Sequence, residues 1–464
     1  MPGPVGYPTP VGCPTLAAFL FLPLGWDEVE PINEEYQGVS NLSTRDAIAS
    51  ADLISPLNKG LGSFPEALTP AELARRNWNL LHEDLSLPTA VLSHDRLLHN
   101  RDWMRTFIAE YGVKLAPHGK TTMAPQLFHM QIDGGAWGIT LATAHQTHVA
   151  YEHGVRRVLM ANQLIGRQNM AVISNLLRDP VFTFYCLVDS PAQVDQLATF
   201  FSAAGQQLNV LLELGVENGR TGVRNSAQAN QVLAAIERHQ HTIRLCGIEL
   251  YEGVLDNESD IRAFMQRACA VTRELLAQGR FAATPILSGA GSAWFDVVAE
   301  EFTAAGFGDA VEIILRPGCY LTHDVGSYRR AQDRMHRTNP VAQRMHSSLQ
   351  PALHLWAYVQ SIPEPARAII GFGKRDAAFD SGFPVPALHH LPGNAAPSPA
   401  LSHWEITKMM DQHAYLRINP GDDLRIGDML AFDICHPCLT FDKWRAIPVV
   451  DSNYNVIDVI QTFF

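Results

Sequence analysis

LNVLLELGVENGRTGVRNSAQANQVLAAIERHQHTIRLCGIEL, residues 208–250, contains the repeating unit on which the fold prediction rests. Apolar runs begin at Leu208 and at Ile243, and each has the length and β-branched content of a buried strand. Between them, residues 228–238 carry apolar side chains at helical spacing. A strand, a helix and a second strand in this order predict a βαβ unit with parallel strands.

The same unit repeats between residues 113 and 317. Eight runs of apolar or β-branched residues alternate with helical stretches, and they begin near Val113, Ala136, Arg156, Phe182, Leu208, Ile243, Ala283 and Val311. Strands that alternate with helices predict a parallel α/β architecture. Eight strands favour a closed (β/α)8 barrel of the TIM type. An open doubly wound sheet would show the same alternation and is the alternative.

Before this array, Thr69-Pro70-Ala71-Glu72 predicts a helix start, with Thr69 as its cap. A short strand is predicted over residues 87–92. After Arg330 helical periodicity fades and proline becomes more frequent. Four runs there predict antiparallel strands at residues 356–359, 368–372, 429–434 and 447–450.

These changes predict three parts of the chain. Residues 1–85 form an irregular N-terminal segment with a helix, a candidate to join the second domain. Residues 86–335 form the barrel, and residues 340–464 form a β-rich C-terminal domain. The predicted fold class is therefore α/β, a TIM-like barrel with a second, β-rich domain.

Composition and charge are typical of a soluble metabolic enzyme. Hydrophobic residues make up 47% of the chain and charged residues 18%. The net charge of −12 argues against nucleic acid or an anionic membrane as a partner. Seven scattered cysteines are poor material for a disulfide framework, so we expect a reducing, cytoplasmic setting. No apolar run is long enough for a membrane helix, and the apolar stretch at 16–26 lacks the flanks of a signal peptide.

The first candidate catalytic residue is Lys120, in the run KLAPHGKTT of residues 114–122. It follows the first strand of the array, and (β/α)8 barrels keep their active sites at the carboxyl ends of their strands. A lysine that is shielded from water near a second cation loses its proton readily and can form a Schiff base. An ordinary surface lysine would have the same sequence context.

A second candidate is the run Ser288-Gly289-Ala290-Gly291-Ser292, between the seventh strand and a helix. Glycines let the backbone approach an anion, and the first turn of a helix favours negative charge. Phosphate sites in barrels often follow strands seven and eight. The run therefore indicates a phosphate site, although most such runs are simple turns.

The third candidate is the pair His436 and Cys438, in the run DICHPC. In an extended segment alternate side chains point to the same side, so both would reach one metal ion, and Cys435 would point away. Imidazole and thiolate suit zinc, and two protein ligands leave positions for water or substrate. A buried histidine and cysteine without a metal is the competing interpretation.

Three shorter motifs follow other strands of the array. Arg220, in the run GRTGV, is placed to meet a carboxylate or a cofactor. Tyr251 ends the sixth strand, and the run RPGCY with Arg316 and Tyr320 ends the eighth. Each is equally compatible with a turn, a core residue or a surface arginine.

Taken in order, these motifs resemble the D-serine dehydratase-like family of fold-type III pyridoxal-phosphate enzymes, relatives of alanine racemase and D-threonine aldolase. The resemblance covers about residues 85–464. Its landmarks are Pro117–Thr121, Gly219–Gly222, Tyr251–Gly253, Ser288–Gly289, Arg316–Tyr320 and His436–Cys438. It implies the alanine-racemase-like fold, a barrel followed by a β-rich domain.

The resemblance also implies roles for single residues. Lys120 would carry pyridoxal 5'-phosphate and His436 and Cys438 would bind zinc. Either Tyr251 or Arg316 would approach the pyridine ring, and the resemblance does not decide between the two. The full expected cofactor-binding set is Lys120, His118, Arg220, Tyr251, Ser288, Gly289, Gly291, Ser292, Arg316 and Tyr320, with the backbone of 289–292 around the phosphate.

One departure from the family concerns the second domain. The family often has Glu-His-Gly there, whereas the nearest match in this chain is Asp411-Gln412-His413-Ala414. His413 is therefore the expected acid or base. The first seventy residues match no part of the family.

The implied reaction is the dehydration of a D-β-hydroxy amino acid, such as D-serine, to a 2-oxo acid and ammonia. Lys120 would remove the α-proton, while zinc would make the β-hydroxyl a better leaving group. The nearest alternative is the retro-aldol cleavage of D-threonine aldolase, with the same lysine and metal position. In the family resemblance, dehydratases have His-x-Cys and aldolases His-x-Asp, so Cys438 favours dehydration.

Other classes explain less of the sequence. A racemase has no need of the metal. A non-catalytic pyridoxal-phosphate carrier would be a lone barrel, and a zinc-stabilised structural protein would leave Lys120 unexplained. D-Threonine or a larger β-hydroxy D-amino acid would suit the same chemistry as D-serine. By resemblance we expect a homodimer, with the active site at its interface.

Overall fold

The computed structural model of the chain describes residues 53–464, so predictions for residues 1–52 lie outside the described residues. The first helix, α1 (Pro70–Ala74), begins where the sequence predicts. The Thr69 hydroxyl accepts a hydrogen bond from the Glu72 N–H, and the Glu72 carboxylate accepts one from the Thr69 N–H. This reciprocal pair is a capping box, which satisfies backbone donors that the first turn leaves unpaired.

A strand and a long helix come next, β1 (Thr89–Ser93) and α2 (His94–Tyr111). β1 corresponds to the strand predicted over 87–92. α2 packs against the barrel through its aromatic face, where the Phe107 ring meets the Phe295 ring edge-on at 5.1 Å between centroids.

Eight parallel strands form the barrel that the alternation predicts. They are β2 (Lys114–Leu115), β3 (Ile139–Leu141), β4 (Arg157–Gln163), β5 (Thr183–Val188), β6 (Leu208–Leu214), β7 (Ile243–Leu250), β8 (Ile286–Gly289) and β9 (Glu312–Leu315). Neighbouring strands pair from β3 round to β9, and β9 pairs with β2. The ring closes beyond β2, because the Thr140 N–H donates to the Pro117 carbonyl at 2.9 Å. The open doubly wound sheet is therefore wrong for this chain.

Helices follow the strands around the barrel. They are α3 (Pro125–Asp133), α4 (Ala144–Glu152), α5 (Arg167–Leu176), α6 (Pro191–Ala203), α7 (Ser226–Arg238), α8 (Glu258–Ala277), α9 (Phe295–Ala304), α10 (Ser327–Thr338) and α11 (Pro340–Met345). α7 begins two residues earlier than the apolar spacing of residues 228–238 predicts, because the Asn225 side-chain oxygen caps it, and Asn257 caps α8 in the same way. None of the helices that the structure describes has the length and apolar character needed to cross a membrane.

The barrel strands bury both of their faces. Their inward side chains form a small apolar plug of Ala116, Leu159, Ala161, Leu187, Leu211, Cys246, Ile286 and Ile314. Outward side chains pack under the helices. This double burial explains why the strands appear in the sequence as continuous apolar runs rather than as alternating patterns.

The C-terminal part is a largely antiparallel sheet, as predicted. Its strands are β10 (Leu353–Glu364), β11 (Arg367–Ile370), β12 (Val385–His390), β13 (Ser398–Pro399), β14 (Glu405–Met409), β15 (Ala414–Arg417), β16 (Met429–Asp433), β17 (Ala446–Val450) and β18 (Val456–Gln461). A short helix, α12 (Cys438–Phe441), follows β16. The four predicted runs lie in β10, β11, β16 and β17.

β1 belongs to this second sheet and not to the barrel. It pairs antiparallel with β10, with Leu92 opposite Leu353, and parallel with β17, with Leu92 opposite Val449. An N-terminal strand thus completes the C-terminal sheet. The domain boundaries drawn from the sequence remain predictions.

Candidate active site

The barrel motifs lie at one end of the barrel. Lys120 follows β2, Arg220 follows β6 and Tyr251 follows β7, while Gly291 and Arg316 follow β8 and β9. Because the strands are parallel, these five positions all come after carboxyl ends, where barrel enzymes hold their catalytic groups. The fold therefore gathers residues that are almost two hundred positions apart in the chain.

Lys120 stands in a single turn of 3-10 helix, Gly119–Thr121. A Cβ at Gly119 would lie 2.7 Å from the Phe128 ring and 2.8 Å from an Ile139 methyl group, so the turn presses tightly on the barrel wall. The Lys120 side chain is exposed, and no residue that the structure describes forms an ion pair with it. The described chain by itself therefore does not shield this lysine from water.

His118 precedes that turn, and its imidazole stays neutral. Burial and the positive charges of Lys120, Arg316 and Arg220 hold the pKa of His118 well below its ordinary value. Its buried Nδ1 has no hydrogen-bond partner among the described residues. A neutral imidazole with one uncommitted nitrogen therefore lies beside the lysine.

Arg220, Tyr251 and the glycine-rich turn are in contact. The Arg220 guanidinium lies over the Tyr251 ring, 4.4 Å from its centroid. A Cβ at Gly291 would come within 2.9 Å of Tyr251 Cε2, so glycine lets the ring reach the turn. The tyrosine that the sequence offers to the pocket is therefore placed between an arginine and the predicted phosphate turn.

The glycine-rich turn differs from its prediction in one respect. The N–H groups of Ala290 and Gly291 donate to the buried Glu252 carboxylate, at 3.1 and 2.5 Å. Two of the expected phosphate donors are therefore already engaged by an internal anion. Nothing in the motif except the position of Glu252 next to Tyr251 signals this contact.

Other donors lie beside the same turn. The amide N–H groups of Gly318 and Cys319 both point to Ser292 Oγ, at 3.2 Å each. The hydroxyl and the two amides form a compact group that an anion such as phosphate could use. The candidate donor set is thus shared between two loops rather than confined to residues 289–292.

Arg316 is buried within the barrel and is fully engaged. It pairs with the Glu249 carboxylate, donates to the Leu250 carbonyl at 2.9 Å and donates to Ser288 Oγ at 3.0 Å. Burial raises the pKa of Glu249 to about 7, although the Arg316 charge opposes the rise. Glu249 Oε2 has no hydrogen-bond partner among the described residues. A buried acceptor of this kind suits a polar group of a bound ligand.

Two expected site residues lie elsewhere. Tyr320 is buried in the apolar core and is hydrogen-bonded to Gln131 of α3. His413 is exposed in the turn between β14 and β15, where its carbonyl accepts from the Met410 N–H at 2.8 Å. Within one chain the structure does not bring His413 to Lys120, because the hairpin that carries it projects from the second sheet.

His436 and Cys438 do come together, but the segment is not extended as the sequence suggests. Pro437 has helical backbone angles, φ −60° and ψ −43°, and begins α12. The side chains of His436 and Cys438 are hydrogen-bonded to each other across this turn. Cys435 points away, as expected, and its thiol donates to the Phe383 carbonyl at 3.2 Å.

Asp380 orients the histidine. Its Oδ2 lies 2.8 Å from His436 Nδ1, a contact between residues 56 positions apart that no sequence motif signals. Hydrogen bonds to Cys438 and to Asp380 together raise the pKa of His436 to about 9. With Nδ1 facing a carboxylate, the imidazole keeps Nε2 for another partner.

Cys438 joins this group to the lysine turn. Its sulfur lies 3.5 Å from Thr121 Oγ1 and 3.7 Å from the Cys319 sulfur. Hydrogen bonding within the thiol pair holds the pKa of Cys438 well below its ordinary value and that of Cys319 well above it. Between residues 53 and 464, no three metal-ligating side chains already converge on one point.

Two protein families match the chain. The alanine racemase N-terminal domain matches residues 92–318, which include Lys120. The serine dehydratase domain matches residues 352–450, which include His436 and Cys438. With the barrel and the antiparallel sheet, these matches define the class of fold-type III pyridoxal-phosphate enzymes. Within that class, the chain is similar to the D-serine dehydratase-like family, and it is a pyridoxal-phosphate-dependent lyase.

Two curated proteins have similar sequences. D-threonine aldolase from Arthrobacter sp. is 25% identical over 371 residues, which cover 78% of this chain and 88% of the aldolase. D-threo-3-hydroxyaspartate dehydratase from Delftia sp. HT23 is 28% identical over 188 residues, which cover 39% of this chain and 48% of the dehydratase. Both relatives are lyases.

Solved structures share the fold. D-threonine aldolase from Filomicrobium marinum superposes with a TM-score of 0.69 at 22% identity, over 83% of this chain and 97% of that one. The Delftia dehydratase gives a TM-score of 0.65 at 22% identity, over 83% of this chain and 99% of its own. The dehydratase has also been solved as a cysteine-to-alanine variant in a metal-free form.

Proposed function

We propose that the chain is a zinc-assisted dehydratase that converts a D-β-hydroxy amino acid, such as D-serine, to a 2-oxo acid and ammonia. The position of Cys438 carries the proposal. Its sulfur lies 3.5 Å from the hydroxyl of Thr121, the residue next to Lys120. A metal ion at His436 and Cys438 would therefore stand beside the lysine that takes the α-proton.

The residues around Lys120 fit pyridoxal 5'-phosphate. The exposed amine is free to form a Schiff base, and the Ser292 hydroxyl with the Gly318 and Cys319 amides suits a phosphate group. Arg220 adds positive charge nearby, and Glu249 Oε2 is an unpaired buried acceptor. When bound, the cofactor supplies an electron sink for negative charge at Cα.

His436 and Cys438 fit zinc. Imidazole and thiolate are ligands that zinc prefers, and Asp380 holds the ring through Nδ1 as carboxylates commonly do at zinc sites. When bound, the metal supplies a Lewis acid that helps the β-hydroxyl to leave. This is the chemistry that separates a dehydratase from a racemase.

The chain's own residues then handle the protons. Lys120 Nζ, once free, is the group placed to accept the α-proton. His118 cannot donate a proton at neutral pH, because its imidazole is already neutral. Loss of the α-proton and of the β-hydroxyl releases water and leaves an enamine. Hydrolysis of the enamine consumes water and gives the 2-oxo acid and ammonia.

A second candidate function is retro-aldol cleavage. The D-threonine aldolase relative matches 78% of this chain, a longer stretch than the dehydratase relative matches. This reaction would use the same lysine and the same metal position as dehydration. The base would instead take the hydroxyl proton, and the Cα–Cβ bond would break. Cys438, as the second residue of His-x-Cys, is the feature that favours dehydration.

The proposal also covers the oligomeric state of the protein and its location in the cell. We propose a cytoplasmic homodimer, with the active site at its interface as the family resemblance implies. In such a dimer, exposed side chains such as His413 would be available to the second chain, and His413 remains the proposed acid or base.

Product analysis with D-threonine, with and without a chelator, tests the function, because both lyase reactions can use this substrate. We expect 2-oxobutyrate and ammonia, with the activity lost on chelation and restored by zinc. Glycine and acetaldehyde would instead establish the aldolase. No product from D-threonine, D-serine or larger β-hydroxy D-amino acids would refute both reactions.

A further inference from the structure

We propose that Cys319 is a third protein ligand of the metal and completes a Cys2His set with His436 and Cys438. This inference rests on the proposed function, since it takes a metal ion at the latter two residues as given. Cys319 lies in the loop after β9, far from both in the sequence, and no motif pairs it with them.

The distance between the two sulfur atoms carries the inference. Cys319 Sγ and Cys438 Sγ are 3.7 Å apart. Zinc holds thiolates at about 2.3 Å in a tetrahedral arrangement, so two thiolates on one zinc ion stand about 3.8 Å apart. A disulfide would need about 2.0 Å. The observed spacing matches that of two ligands of one metal ion, and it is also the spacing of a hydrogen bond between two thiols.

The barrel fixes the Cys319 thiol in this position. The residue is 3% exposed, and its sulfur lies 3.7 Å from Thr121 Oγ1. Its amide donates to Ser292 Oγ, and the preceding Gly318 packs directly against His118. The thiol is therefore held by the loops around Lys120, whereas the other two ligands come from the segment after β16.

The histidine is the third member of the proposed ligand set. Asp380 engages His436 Nδ1, and the same ring is hydrogen-bonded to Cys438. The three side chains do not converge on one point, so metal binding requires a side-chain rearrangement. The short link between His436 and Cys438 allows it, because the two residues lie on one turn.

A Cys2His set would leave the metal ion one position for the substrate. Three protein ligands leave one tetrahedral position, which is the arrangement of catalytic zinc sites. That position would bind the β-hydroxyl of the substrate. Two thiolates also balance the charge of the ion, and the ion would tie the barrel loops to the C-terminal segment.

X-ray absorption of the zinc-loaded holoenzyme under reducing conditions tests the inference by counting sulfur neighbours of the ion. We expect two sulfur atoms in the wild type, and one each in Cys319→Ser and Cys438→Ser. Cys435→Ser is the matched control, because its thiol points away to Phe383, and it should keep two. A single sulfur in the wild type would overturn the inference, and this measurement needs no variant.

Competition with a chromophoric chelator gives a second readout that does not depend on activity. Cys319→Ser should weaken zinc binding by more than the about 10- to 100-fold that is typical for loss of an outer-shell partner. Serine can still hydrogen-bond to Cys438, so a purely positioning role would leave affinity unchanged and would overturn the inference. A wild type that binds no zinc would also refute the metal site of the proposed function. If Cys438→Ser binds zinc weakly but Cys319→Ser binds it normally, only the role of Cys319 as a ligand is refuted.

Discussion

At the residue scale, the charges around Lys120 are arranged for an anionic ligand. His118 beside it is neutral, and Arg316 is neutralised inside the barrel by Glu249. Lys120 and Arg220 are then the positive groups exposed at the strand ends. A phosphate-bearing cofactor and the carboxylate of an amino acid both suit such a site. The local electrostatics therefore agree with the proposed chemistry.

We predict that Lys120→Ala abolishes both the visible absorbance of the lysine-bound cofactor and turnover. The substitution removes the amine that forms the Schiff base and the group that takes the α-proton. A general base is typically worth about 10²- to 10⁴-fold in rate, and loss of covalent attachment adds to this. Absorbance spectra and initial rates after reconstitution measure the two effects.

Lys114→Ala is the matched control for this prediction. Lys114 lies at the start of β2, where it pairs with Glu312 at 2.5 Å, away from the strand ends that carry the site. Its loss should leave the absorbance and the rate close to those of the wild type. Turnover by the Lys120 variant at the wild-type rate would show that this lysine is not the cofactor lysine.

At the element scale, the site depends on two loops that touch. A Cβ at Gly318, in the loop after β9, would lie 2.6 Å from His118 Cβ and 2.9 Å from Thr121 Oγ1. The loop therefore packs directly on the turn that carries Lys120, with room only for glycine. The same loop supplies the amides that face Ser292, so the cofactor groups and the lysine are positioned by one contact.

We predict that Gly318→Ala impairs activity far more than it impairs folding. The added methyl group must push the loop and the lysine turn apart, and a displacement of about 1 Å in an active site can cost about 10²-fold in rate. Overpacking usually costs only about 1–3 kcal/mol of stability. Rates and denaturant unfolding of the same preparation measure the two quantities.

Gly371→Ala controls for the loss of a glycine. The nearest atom to a Cβ there, the side-chain oxygen of Gln360, is 3.4 Å away, which is an ordinary contact. Activity and stability should therefore be close to those of the wild type. A Gly318 variant with full activity would show that the contact does not position the lysine turn.

At the scale of the whole molecule, one apolar cluster runs through the barrel and the second sheet. It contains Leu115 and Phe184 of the barrel, Leu353 and Phe432 of the sheet, and Leu92 of β1. β1 pairs with two strands of the sheet, and α2, which follows it, packs on the barrel. The two parts of the described chain are thus joined by a shared core.

We predict that residues 53–464 unfold as one unit and that Leu92→Ala lowers its stability by about 2–5 kcal/mol, the usual cost of such a truncation in a core. Leu92 is fully buried in the shared cluster. Far-ultraviolet circular dichroism and tryptophan fluorescence should report the same denaturant midpoint, shifted equally by the substitution.

Leu57→Ala is the control for Leu92→Ala. The Leu57 side chain is 92% exposed, so its truncation should change stability by less than about 0.5 kcal/mol. Two separate transitions, with only one moved by the Leu92 substitution, would show that the barrel and the sheet are independent.

Motif order supplied the residues of the candidate site. Lys120, Arg220, Tyr251, Arg316 and the His436–Cys438 pair were recognisable because each carries a chemical group at a characteristic spacing. The partners that these residues contact could not be recognised from the sequence. Glu252 on the glycine-rich turn and Asp380 on His436 are ordinary carboxylates in the sequence, and only the folded chain brings them to their partners.

By itself, the sequence determined the elements of this protein. Strand–helix alternation, caps and apolar runs depend on neighbouring residues, so eight barrel strands and the later β-rich region were predictable from local patterns. Tertiary structure alone decided that the barrel closes, that β1 joins the far sheet and that Cys319 meets Cys438. These contacts join residues far apart in the chain, and they depend on packing that no local pattern records.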